Sequence, residues 1–171
     1  MKQRILCALA SGLALVALTT PTTAAENHKA KLMEGAQETP AVITGATGDF
    51  RMDIGKGDGS FDFELTYSGI ENGTVTQAHI HVGQPNVAGG IVIFLCTNLA
   101  PPAGVPVPPP CPANGGTVTG TRTAADVIGV PAQGVSTGEF AAVLTAIREG
   151  LAYANVHSTI SPSGEIRGQI K

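Results

Sequence analysis

The chain has 171 residues, of which 13% are charged and 4% aromatic, and its formal charge is −3 with no basic cluster. That balance argues against nucleic-acid binding, which needs lysine and arginine to displace counterions. The length suits one domain with a real core.

Lys2 and Arg4 precede an apolar run from Ile5 to Leu18, and small residues follow as far as Ala24-Ala25. This is the layout of a secretory signal peptide cut after Ala25. The run is shorter than the ~20 residues a spanning helix needs, and Pro21 ends it. The prediction is a signal peptide over 1–25 and a secreted or periplasmic single domain over 26–171, with no membrane span after cleavage. Loss of Lys2 and Arg4 leaves eight basic residues against thirteen acidic ones, a charge of −5. Cys96 and Cys111 stay in the mature chain. In an oxidising compartment they are expected to pair. The alternative is a Cys–His metal site, although the spacing matches no standard zinc pattern.

Residues 26–31 read as a polar leader, and 32–42 as an extended stretch whose Pro40 suits an edge strand or its end. From Thr47 to Ile54, Phe50, Met52 and Ile54 alternate with polar residues. From Phe61 to Tyr67 the same alternation returns after the glycine-rich turn 55–59. This predicts a β-hairpin with one buried face. Asp53, Asp58 and Asp62 around that turn lack the spacing of a calcium loop and read as exposed acids. Asn72-Gly73-Thr74 fits an N-glycosylation acceptor. Residues 74–82 form the next predicted strand, and the apolar run Ile91 to Cys96 reads as a central strand. Seven prolines between 100 and 112 bar regular structure there. A Thr/Val strand follows over 116–123. Ser136 and Glu139 have the spacing of a capping box, and Phe140, Val143, Leu144 and Ile147 recur at helical spacing up to Gly150. Strands over 152–158 and 165–171 close the chain. Many short strands with one short amphipathic helix predict a mainly β fold, an antiparallel β-sandwich or barrel.

The candidate site comes from alternation. Gln77, His79 and His81 point to one side of their strand; Tyr153, Asn155 and His157 share a face, as do Glu165, Arg167 and Gln169. If these strands are neighbours, their polar faces merge. His79, His81 and His157 are then candidate ligands for copper or zinc, with Gln77, Asn155, Glu165 and Arg167 around them. The competing reading is a solvated polar face, with the histidines hydrogen-bonded to Asn155 and Glu165 and an ion pair between Glu165 and Arg167 holding the last strand. No nucleophile elbow or phosphate-binding loop is present.

Four stretches carry a family resemblance: Gly35-Ala36-Gln37-Glu38-Thr39-Pro40-Ala41-Val42, Ala78-His79-Ile80-His81-Val82-Gly83, Ile91 to Leu95, and Tyr153-Ala154-Asn155-Val156-His157-Ser158 with Gly164-Glu165-Ile166-Arg167-Gly168-Gln169. In order and spacing they resemble the CHRD domain, named after chordin, over roughly 30–171. The Cys96–Cys111 insertion looks like the form common in bacterial secreted members. The resemblance implies an extracellular β-rich module; chordin's cysteine-rich modules are missing, so growth-factor antagonism does not carry over. A weaker likeness is to Cu/Zn superoxide dismutase, with His79, His81, His157 and Arg167 as counterparts. No histidine lies between His81 and His157, so that family's bridging ligand and zinc site have no counterpart. The expectation is a non-catalytic binding module for a protein or glycan partner. The alternative is an extracytoplasmic copper- or zinc-binding protein, with redox activity at the metal as a third reading.

Overall fold

The structure, a computed structural model, describes residues 25–171 apart from 72 and 102. The expected signal peptide, except Ala25, and the Asn72 acceptor lie outside the described residues. Eight strands make one antiparallel sheet that curls into a nearly closed barrel. They are β1 Glu26–Glu34, β2 Thr47–Ile54, β3 Ser60–Ser68, β4 Val75–Val82, β5 Gly90–Thr97, β6 Gly116–Thr123, β7 Ala152–Ser158 and β8 Ile166–Gln169, in spatial order β5-β4-β7-β8-β1-β2-β3-β6. The mainly β, antiparallel expectation holds.

The hairpin of β2 and β3 forms as its alternation dictates. Phe50 faces Leu65, Met52 faces Phe63 and Ile54 faces Phe61. All six are buried in the barrel, each worth roughly 1.5–3 kcal/mol of transfer free energy. The helix, α1 Phe140–Arg148, buries Phe140, Val143, Leu144 and Ile147 and stacks Phe140 on Phe61. Its start differs from the expected capping box. Glu139, not Ser136, is the N-cap, and only half of the box forms: the Glu139 carboxylate accepts from the Ser136 backbone N–H at 2.8 Å.

Three expectations are corrected. The polar leader 26–31 belongs to β1, which pairs with both β2 and β8. Its pairing register shifts between Ala30 and Met33, and this irregularity breaks the alternation that would have marked a strand. The expected extended stretch 32–42 is not a strand beyond Glu34: a 3-10 turn at Gly35–Gln37 ends β1, and the chain then folds back so that Val42 N–H reaches Gly35 O. Finally, β5 is not central. It ends the strand order, and its outer edge is covered: Ile128 N–H bonds to Val92 O, and the Arg122 guanidinium donates to Phe94 O and Leu95 O. The apolar run is continuous because both faces and the edge of β5 are covered, which periodicity alone cannot separate from a central position.

The two cysteines form a disulfide, Cys96–Cys111. The described residues of the proline-rich segment between them have no regular structure after β5, and Asn98 holds the segment by accepting from Cys111 N–H and donating to Val75 O and Cys111 O. Among the described residues no helix is long and apolar enough to cross a membrane.

Candidate metal centre

The strand order makes β4, β7 and β8 consecutive neighbours. Across β4 and β7, Gln77 pairs with His157, His79 with Asn155 and His81 with Tyr153; across β7 and β8, Asn155 pairs with Arg167. Because side chains on paired strands share a face, the polar faces merge as the sequence predicts. Ala78, Ile80, Ala154 and Val156 project from the other face into the barrel core.

The merged face is not solvated, however. His79, His81 and His157 are 0%, 6% and 5% exposed. The Phe94 ring stands edge-on over His79, with centres 4.2 Å apart, and Tyr153 stacks on His81 at 4.8 Å. Loop 83–89 supplies Gly89 O to His81 Nδ1, and the turn before β8 supplies Pro162 O to His157 Nδ1. A carbonyl only accepts, so both Nδ1 atoms carry hydrogen and both Nε2 atoms keep a lone pair.

The three histidines offer donor nitrogens that lie within 4.8 Å of one another, and no cysteine or carboxylate among the described residues joins the group. His79 Nδ1 is 3.1 Å from His157 Nε2. Both nitrogens can therefore reach one ion at about 2.0–2.1 Å each, whereas a pair 4.8 Å apart has to close by about 0.6 Å to do so. The buried His79 Nε2 and His81 Nε2 meet no partner. Burial pushes the His79 imidazolium pKa down to about 2, with His157 and His81 adding repulsion. Burial lowers His81 to about 4 against the pull of Gly89 O, and lowers His157 as well. Three neutral imidazoles in one buried space are the form in which histidine binds metal; the His81 Nε2 lone pair is unused, and that of His157 Nε2 accepts from His79 Nδ1.

The four surrounding residues fare differently. Arg167 spans the site: its Nη atoms donate to Val87 O and Gln84 O in the loop over His81, and its Cζ sits 3.7 Å from the Tyr153 ring centre. No Arg167–Glu165 ion pair forms among the described residues; Glu165 accepts from Thr44 Oγ1 at 2.9 Å. Asn155 does not bond to a histidine but donates to Glu38 Oε2 at 3.3 Å. Gln77 stands half-buried at the edge, in register with His157. The expected histidine bonds to Asn155 and Glu165 are replaced by those to loop carbonyls, because the loops close over the face. His28 stands on β1, which β8 separates from β7 in the strand order, and bonds to Glu26 on the same strand. Sequence reasoning missed Glu38, Gly89, Pro162 and Phe94. Glu38 and Phe94 left a signal, as parts of the Gly35–Val42 and Ile91–Leu95 stretches.

A family model described as CHRD domain matches residues 30–170. The chain matches no curated protein and no solved structure.

Proposed function

The chain belongs to the CHRD domain family, and from that premise we propose a non-enzymatic, exported module that holds one copper or zinc ion on His79, His81 and His157. The observation that carries the reading is the convergence of three buried neutral imidazoles, with His79 Nδ1 3.1 Å from His157 Nε2 and His81 Nε2 without a partner. A buried polar atom without a partner costs about 1–3 kcal/mol, and a metal ion offsets that cost. Two backbone carbonyls fix the ring orientations of His81 and His157, the support that metal-bound histidine usually has. Asn155, Glu165, Arg167 and Gln77 serve as surroundings, with Arg167 acting through loop 83–89 and Tyr153. Export as a single domain over 26–171, released from a signal peptide over 1–25, is consistent with the Cys96–Cys111 disulfide, which persists in oxidising compartments.

The test is the metal content of protein exported to a periplasm and purified without chelator or affinity histidines. About one copper or zinc per chain is expected. It should be absent from His79→Ala/His81→Ala/His157→Ala and retained by His28→Ala. Loading at a hundred times Kd should add about 2.7 kcal/mol to unfolding stability. A protein that carries no metal, and takes up neither copper nor zinc tightly on titration, would sink the reading.

A further inference from the structure

We propose that the ion held by this triad is copper(I), three-coordinate and closed to water, in preference to zinc(II) or copper(II). The inference rests on the metal-binding reading above and names the ion.

Charge is the first ground. The ligand set is three neutral imidazoles, and among the described residues no cysteine or carboxylate shares the cluster. The filled site therefore carries the whole charge of the ion. The cost of moving an ion out of water grows with the square of its charge, so a divalent ion pays about four times the penalty of a monovalent one of similar size. The surroundings do not supply the missing anion at the nitrogens. Glu38 Oε2 accepts from Asn155 and Glu165 Oε1 from Thr44; the other oxygen of each is buried without a partner, but neither carboxylate belongs to the histidine cluster. Arg167, packed on the Tyr153 ring that stacks on His81, adds positive charge on that side.

Geometry is the second ground. Zinc sites with three protein ligands keep a fourth position for water or substrate. Copper(II) favours tetragonal sets of nitrogen and oxygen donors. Here the unpartnered His79 Nε2 and His81 Nε2 are shut from solvent. Phe94 covers His79, Tyr153 covers His81, and the loops carrying Gly89 and Pro162 tie down the remaining rings. A fourth ligand has no donor in the cluster and no solvent-facing nitrogen edge to enter by. Copper(I), with a filled d shell and a single charge, accepts three nitrogens and needs nothing further.

The mature protein is titrated anaerobically with copper(I) against bicinchoninate, and separately with zinc(II) and copper(II) against chelators of known strength. X-ray absorption then counts the donors on the copper(I) form. One copper(I) per chain is expected, bound at least about a hundredfold more tightly than zinc(II). Three nitrogen neighbours without oxygen, and a copper potential above that of the aqueous ion, should accompany it. Zinc(II) binding as tightly as copper(I), an oxygen donor on copper(I), or a potential at or below the aqueous value would overturn the inference while the metal reading stands. Uptake of none of the three ions would overturn both.

Discussion

Burial of the triad ties stability to pH at the level of single residues. An unfolded histidine takes up a proton below about pH 6.5, whereas His79 and His81 in the fold resist protonation down to about 2 and about 4. Their stabilising contribution is therefore complete above pH 6.5 and is lost as pH falls from there towards the folded values. At pH 5 the metal-free protein should have lost about 2 kcal/mol per histidine relative to pH 7. Urea midpoints across pH 5–7 measure this, and His79→Gln/His81→Gln should flatten the slope; an unchanged slope would refute it. Glu38 has the opposite sign. Burial raises its carboxyl to about 7, against the pull of Arg167 and Asn155. Its contribution is thus present below pH 4.5 and lost as pH rises through 7. The contacts show why a proton suits it. Asn155 Nδ2 donates to Glu38 Oε2, while Glu38 Oε1 and Asn155 Oδ1, both buried acceptors, meet no donor. A Cβ on Gly164 would lie 2.7 Å from each of them, so they crowd one spot, and a proton on Oε1 supplies the missing donor. Glu38→Gln keeps an N–H there and should remove the decline between pH 5 and 8, a difference of about 3 kcal/mol at the alkaline end. The histidines were legible because His-x-His in a strand needs only alternation. The Glu38 pairing was not, because it joins residues 117 apart in the chain through a fold-back that has no period.

Elements were legible where one face is apolar and the other polar. The hairpin of β2 and β3, and α1, stand where alternation and helical spacing place them. β1 escaped because its register shift hides the period and four of its first six residues are charged or amide-bearing. β5 was recognised as a strand but misplaced, since its neighbour across the barrel opening is a side chain. Arg122 of β6, 7% exposed, sends Nε to Phe94 O and Nη2 to Leu95 O, each at 2.8 Å, and lies 4.9 Å from the Phe63 ring centre. The guanidinium closes the gap between the two end strands with side-chain hydrogen bonds where a strand would use backbone ones. Arg122→Met keeps much of the apolar stem but leaves both carbonyls without that donor. At about 1–3 kcal/mol for each stranded group, the variant should lose about 3 kcal/mol in chemical denaturation. Amide exchange should rise first along β5 and β6. A variant as stable as the parent would show that water satisfies those carbonyls and that the barrel does not depend on the seam.

The whole molecule is a sheet buried on both faces around β7, every residue of which is buried. One side is the apolar barrel core; the other is a polar layer roofed by residues 83–89, the fold-back after β1 and the turn before β8. Composition could predict the first layer but not the second, because loops rich in glycine and proline carry no sign of what they cover. The disulfide acts on the remaining large loop. It joins the end of β5 to the segment leading into β6 across 15 residues, and Tyr67 Oη donates to Pro112 O beside it. Closing a loop of that length removes unfolded-state entropy worth roughly 3 kcal/mol. Cys96→Ala/Cys111→Ala should therefore lower Tm by about 6–12 °C for a chain of this size. It should leave metal stoichiometry unchanged, because all three histidines stand on β4 and β7, whose pairing with each other does not pass through the loop. Loss of metal together with stability would instead mean that β5, through Phe94 on His79, holds the site in shape and that the bridge sets its position.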